Sequence, residues 1–170
     1  DYIMAEVCWR CSKYVILIGA TESKAAELLG NISDELHTNV DLRRDFDIVD
    51  FETDQTTDII VKCGDGHRFR ILARGAEQKI RGANWDGMRP DLIVCDDMED
   101  DEQVENKDRR NKFRRWFFRA AKQALSKRGR IRVHGTILHD DSLLSRLRRN
   151  KVWKHLFYKA HKSYSDFSEL

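Results

Sequence analysis

Two adjacent carboxylates follow an unbroken apolar run near the middle of the chain, in Pro-Asp-Leu-Ile-Val-Cys-Asp-Asp (residues 90–97). A short run of this kind predicts a β-strand buried on both faces, as in a parallel sheet covered by helices. Asp96 and Asp97 then fall at the carboxyl end of the strand, where open α/β sheets bind their ligands. Because burying a carboxylate is costly unless a cation or donor compensates it, the pair indicates a metal-binding or catalytic edge.

The pattern is that of a Walker B strand, whose carboxylates hold Mg²⁺ and orient the attacking water in nucleotide hydrolases. Four further acids follow within five residues, at Glu99, Asp100, Asp101 and Glu102. The competing interpretation is an acidic loop after a core strand, with no site. The residues alone therefore favour a Mg²⁺-dependent site here without excluding a purely structural loop.

The length of 170 residues suits one sizeable domain. The chain is 41% hydrophobic and 35% charged, which indicates a globular domain with a highly charged surface. No apolar run approaches the roughly 18 residues that a membrane span needs, so we expect no membrane partner. The four cysteines lack zinc-finger spacing, and Cys8 and Cys11 are expected to face the core of an N-terminal helix. This cysteine usage suits a reducing cytoplasm.

The net charge of +2 conceals two halves of opposite sign. Residues 1–105 contain 12 Lys and Arg against 24 Asp and Glu, whereas residues 106–150 contain 15 basic against 3 acidic side chains. The basic half is typical of a surface that meets nucleic acid. Mutual neutralisation of the two halves in the fold explains the pattern equally well, and both interpretations stay open.

Strand and helix patterns alternate along the chain. Periodicity and end signals predict strands at residues 13–20, 48–51, 59–61, 69–72, 92–95, 130–135 and 152–160, and helices at 22–37, 106–127 and from about 142. A hairpin turn is predicted at 63–67 and a glycine-rich loop at 74–89. Arg114, Arg115 and Arg119 are expected to lie off the packed face of the second helix. The order predicts a three-layer α/β sandwich with a mainly parallel sheet and a small antiparallel hairpin.

Four stretches, in order, resemble the ATPase domain of the large terminase subunit of tailed bacteriophages, which has a P-loop NTPase fold. They are KYVILIGATESKAAELLGNI (13–32), KIRGANWDGMRPDLIVCDD (79–97), RPDLIVCDDMEDDEQV (89–104) and RIRVHGTILHDDSLLSRL (130–147). The chain departs from the family in having no G-x-x-x-x-G-K-[ST] phosphate loop and no nuclease domain. We therefore expect residues 1–160 to be a partial ATPase domain whose phosphate loop lies upstream, and residues 161–170 to begin a linker toward the nuclease.

The resemblance implies a role for five residues. Asp96 would hold Mg²⁺, mostly through water. Asp97 stands where relatives often have Glu and would polarise the attacking water, with Glu99 as the alternative because Asp is one methylene shorter. Arg81, in the family's Arg-Gly motif, would be an arginine finger acting on the neighbouring subunit of a ring. Thr136, after Gly135, would sense the γ-phosphate.

The function implied by the resemblance is an ATP-driven motor that packages double-stranded viral DNA into a procapsid. Its cofactors would be ATP and Mg²⁺. Its partners would be DNA, the portal protein, the small terminase subunit and further copies of itself in a ring, in the host cytoplasm. The residues alone leave two alternatives open: a two-metal nuclease that uses the acids of residues 96–100 together with Asp140 and Asp141, and a non-catalytic nucleic-acid-binding module.

Overall fold

The computed structural model describes residues 2–158, in which helices cover both faces of a six-stranded sheet. In chain order the elements are α1 (Tyr2–Cys8), β1 (Tyr14–Gly19), α2 (Glu22–Thr38), α3 (Val40–Asp45), β2 (Ile48–Gln55), β3 (Asp58–Cys63), β4 (Arg68–Gly75), β5 (Leu92–Asp96), α4 (Asp101–Glu105), α5 (Lys107–Ala124), β6 (Arg130–His134) and α6 (Leu143–Arg149). The strand order is β2-β3-β4-β1-β5-β6.

The sheet is mixed, with a parallel half that carries the acidic strand. Strands β4, β1, β5 and β6 run parallel, whereas β2, β3 and β4 pair antiparallel. The predicted three-layer α/β fold with a mainly parallel sheet is confirmed. The predicted hairpin is also confirmed: β3 and β4 flank residues 64–67 and belong to the main sheet, because β4 pairs with β1.

Burial along the strands explains their order in the sheet. Every residue of β1 is buried, and so are the first four of β5, as expected for continuous apolar strands at the centre of a parallel sheet. On one face the core is formed with α1 and α2, and on the other with α5 and α6. In contrast, β6 lies at the edge of the sheet among the described residues and alternates between exposed and half-buried positions.

Local side-chain caps fix where the helices begin. The Thr21 hydroxyl accepts the Lys24 amide at 3.2 Å at the start of α2. The Asn106 side chain accepts two amides at the start of α5, and the Ser142 hydroxyl accepts the Ser145 amide at 3.2 Å at the start of α6. Such caps satisfy donors that have no partner within the helix, so the polar residue before each apolar stripe sets the helix boundary.

Several sequence expectations need correction. Residues 152–158 form no strand, and the rest of that predicted strand, like the expected linker at 161–170, lies outside the described residues. Helix α5 ends at Ala124, before the predicted stop at Gly129, and α3 was not predicted. Cys8 is buried as expected, but Cys11 follows the end of α1 and is exposed.

A buried carboxylate ties the first helix to the edge strand. Glu6 of α1 is 7% exposed and accepts hydrogen bonds from the Arg130 guanidinium at 3.0 and 2.5 Å, from the Ser12 hydroxyl at 2.9 Å and from the Tyr2 hydroxyl. Burial raises the pKa of Glu6, but hydrogen bonds from Arg130, Tyr2 and Ser12 outweigh it, so the pKa lies below its usual value. The ionised form is therefore stabilised by folding.

We expect Arg130→Met to lower the free energy of unfolding by about 2 kcal/mol at pH 7, because it leaves the Glu6 carboxylate buried with neutral donors only. The lowered pKa gives stability that is present above the unfolded pKa of about 4.3 and lost as pH falls through the folded pKa. The difference between wild type and variant should thus shrink toward pH 3. Urea unfolding at both pH values measures it, with the exposed Arg128→Met as control. An equal difference at both pH values would contradict the assignment.

Candidate active site at the carboxyl edge of the sheet

The turns after four parallel strands meet at one edge of the sheet. In the strand register, Gly19 lies beside Gly75, Ile18 beside Cys95, and Asp96 beside His134. The carboxyl ends of β1, β4, β5 and β6 are therefore level with one another. This arrangement places Asp96 and Asp97 at the edge that α/β folds use for ligands.

The two carboxylates occupy different backbone environments. Asp96 ends β5, is half-buried and, by strand alternation, lies on the sheet face that packs against α1 and α2. Asp97 is exposed and has φ of +40°, and its amide donates to the His134 carbonyl at 3.2 Å. A left-handed conformation outside glycine costs about 1 kcal/mol or more and concentrates at functional sites. The backbone thus turns away from the strand directly at the second acid.

Within residues 2–158, neither Asp96 nor Asp97 makes a side-chain hydrogen bond or ion pair to another group, which leaves two negative charges uncompensated at this edge. Magnesium fits such a donor set, because it prefers oxygen ligands and is usually held by one or two carboxylates, waters and substrate phosphates. The part of the chain that the structure describes has no cluster of three or more His, Cys, Asp or Glu able to hold a metal ion.

The loop after β6 lies directly against Asp97. Gly135 has φ of +151°, and a Cβ built there would be 2.9 Å from Asp97 Oδ1 and 3.0 Å from Leu144 Cδ1. Only glycine fits both this backbone and this approach. Thr136, which is exposed, lines a small crevice with Asp97, Glu99 and His134. The structure therefore brings Asp97, Glu99 and Thr136 together.

The other two acids of the loop between β5 and α4, Glu99 and Asp100, accept backbone amides. Glu99 accepts the Leu143 amide at 2.8 Å with Oε1 and the Leu144 amide at 3.2 Å with Oε2. Asp100 caps α4 by accepting the Gln103 amide at 2.7 Å. Asp97 is consequently the carboxylate of this loop that remains free for a water molecule.

Arginines surround Asp141, the second acid that a nuclease would need. A guanidinium nitrogen lies 2.6 Å from a carboxylate oxygen of Asp141 in the case of Arg146, 3.1 Å for Arg114 and 3.4 Å for Arg110. Hydrogen bonds, from Arg114 above all and from Arg146, lower the pKa of Asp141 to about 2. Arg110 and Arg114 are 8% and 9% exposed, so the expectation that Arg114 lies off the packed face is wrong. The amphipathic pattern missed it because the partner comes from the loop before α6.

Arg81 lies away from the acid pair. It lines a shallow groove with Gly82, Arg89 and Gln123, and the Arg89 guanidinium donates to the Gln123 carbonyl at 3.0 Å. Both Arg89 and the end of α5 lie beside the amino end of β5, where the Ser126 amide meets the Pro90 carbonyl. The five residues of β5 separate this edge from Asp97 by about 16 Å at 3.3 Å per residue. The groove that Arg81 lines is therefore a different surface from the crevice that Asp97 lines.

Comparison with known proteins identifies the fold. The large terminase ATPase domain of Thermus phage P74-26 superposes with a TM-score of 0.52 and 15% identity, over 77% of this chain and 50% of that one. The two proteins share an α/β fold. No family model matches the sequence, and no curated protein matches it. Within residues 2–158 no helix has the length and apolar character needed to cross a bilayer. The match spans only half of the neighbour's length. The likeness is therefore one of fold, and the activity depends on the chemistry of the site.

Proposed function

We propose that the chain is the ATPase core of a viral DNA-packaging motor, which couples ATP hydrolysis to translocation of double-stranded DNA into a procapsid. The observation that supports this most is the uncompensated Asp96–Asp97 pair at the carboxyl edge of a sheet with an ATPase-domain fold. Every other acid that the loop could offer to a metal is occupied by an amide. The pair thus has the charge and position that a magnesium-bound triphosphate requires.

Each residue has a distinct role in this proposal. Asp96 would hold the magnesium and its waters, and the Thr136 hydroxyl, which lines the same crevice as Asp97, would sense the γ-phosphate. Magnesium, when bound, neutralises charge on the phosphate oxygens. Asp97 orients the attacking water and draws its proton toward the exposed carboxylate. Gly135 keeps the β6–α6 loop close enough to fix that carboxylate, since a side chain there would displace it.

Arg81 acts between subunits in this proposal. Its position at the opposite edge from Asp97 suits a guanidinium that a ring places into the neighbouring site. The remaining partners follow from the resemblance: the portal protein and the small terminase subunit. DNA phosphates would meet exposed arginines of the basic half, including Arg115, Arg119, Arg148 and Arg149.

We expect the full-length protein, meaning this chain together with a phosphate-binding loop, to hydrolyse ATP only with Mg²⁺ and faster with double-stranded DNA. The 170 residues alone should turn over ATP poorly, because they contain no phosphate-binding loop. Phosphate release with and without Mg²⁺ and DNA measures both. DNA cleavage by the 170-residue chain without nucleotide would favour the nuclease instead, and robust ATP turnover by that chain would contradict the need for a phosphate-binding loop.

A further inference from the structure

The first turn of α6 is held by a carboxylate 44 residues earlier in the chain. Ser142, the local cap, accepts only the Ser145 amide. The Leu143 and Leu144 amides are taken by Glu99, one by each oxygen, at 2.8 and 3.2 Å. Because a seven-residue helix is marginal in isolation, this second, remote cap contributes to the ordering of α6. A negative charge at a helix N-terminus is also favoured by the helix dipole.

The segment that carries Glu99 also carries the free acid. Asp97 and Glu99 are two residues apart, and the Asp97 amide donates to the His134 carbonyl while its Oδ1 faces Gly135. The loop after β5 (the acid loop) is therefore held to β6 through Asp97 and to α6 through Glu99. A shift of Asp97 must either carry α6 with it or break the Glu99 contacts.

The opposite surface of α6 is strongly basic. Leu143, Ser145 and Leu147 are buried, whereas Arg146, Arg148 and Arg149 are exposed in the second half of the helix. Asp141, just before α6, joins the helix to α5 through Arg110 and Arg114. Whatever fixes the N-terminus of α6 thus also fixes where this basic surface lies.

We propose that Glu99 is a positioning residue that clips α6 to the acid loop, holding Asp97 in place and transmitting its displacement to the basic surface of α6. The clip itself follows from the contacts of Glu99. Its effect on turnover rests on the proposed ATPase function. Glu99→Gln distinguishes this positioning role from a catalytic role of Glu99. Gln keeps one oxygen acceptor for the amides but cannot serve as a base.

The first test needs no enzymatic activity. In the 170-residue chain, Glu99→Ala should speed hydrogen exchange of the Leu143 and Leu144 amides about tenfold, the local cost of losing charge-assisted hydrogen bonds. Glu99→Gln should give a smaller increase and replaces the Ala variant if that fails to fold. Glu102→Gln, which changes an exposed carboxylate in α4, should leave exchange within about twofold. Unchanged exchange at both amides in Glu99→Ala would overturn the clip.

The second test uses the full-length protein. Glu99→Ala should lower kcat about tenfold with KM for ATP within about twofold, and Glu99→Gln should recover part of the lost kcat. A loss in Glu99→Gln as complete as in Asp97→Asn would overturn the positioning role and identify Glu99 as the base. If the wild-type protein hydrolyses no ATP, the proposed function fails while the exchange experiment still decides whether the clip exists.

Discussion

Replacing Asp97 with Asn should lower ATP turnover of the full-length protein by at least about 100-fold while leaving Mg²⁺–ATP binding within about threefold. The physical reason is that the amide keeps the size and left-handed backbone of Asp97 but can no longer accept a proton from water. Asp96 retains its charge for the magnesium. Turnover is measured as phosphate release, and binding by titration with a fluorescent ATP analogue.

Asp100→Asn is the matched control for Asp97→Asn, because Asp100 lies three residues further on and caps α4. The amide oxygen can still accept the Gln103 amide, so turnover should change by less than about threefold. A two-metal nuclease would need Asp100 as a ligand, and the control therefore also separates the two functions. Retention of more than a third of turnover in Asp97→Asn would exclude Asp97 as the catalytic carboxylate.

Arg81→Ala should reduce turnover about 1,000-fold, the usual scale for losing an arginine finger. Arg81 lines the groove near the amino end of β5, whereas Asp97 lines a separate crevice at the carboxyl edge. The loss should therefore be rescued in part when Arg81→Ala protein is mixed with Asp97→Asn protein. Mixed rings contain interfaces in which an intact Arg81 meets a site with an intact Asp97.

Arg89→Ala is the control for Arg81→Ala, because Arg89 lines the same groove but donates to the Gln123 carbonyl. It should lower turnover less than about threefold. Mixtures that regain no activity, measured across a range of subunit ratios, would argue against a residue that acts between subunits. A larger loss in Arg89→Ala than in Arg81→Ala would move the finger to Arg89.

Much of the fold was predictable because the central strands have a simple physical signature. The apolar runs of β1 and β5 are buried on both faces, and the Thr21 and Ser142 caps lie where the helix patterns begin. The predicted strand at 152–160 failed over its described part. Residues 152–158 form no strand, and Val152, Leu156 and Tyr158 stay exposed. An apolar pattern in a short segment therefore does not by itself establish that the segment packs.

Where the candidate site residues lie in the fold was predictable from the sequence, whereas the contacts they make were not. Asp96, Asp97 and Thr136 follow strands in the sequence, and parallel strands bring their carboxyl ends to one edge. The engagement of Glu99 by two amides of α6 and of Arg114 by Asp141 gave no sequence signal. In both cases the partner lies far along the chain, in α6 or in the loop before it, and only tertiary packing brings the two groups together.

Hydrophobic period and strand direction are properties of the local chain, so an α/β sheet with a pair of acids at its carboxyl edge follows from the order of amino acids. Which acid remains free, which one caps a distant helix, and which groove Arg81 lines follow from the packed fold. Glu99, for example, accepts an amide that lies 44 residues further along the chain. The loop before β5 crosses α5, where the Trp116 indole donates to the Gln78 carbonyl. Contacts of that range are settled when the layers pack.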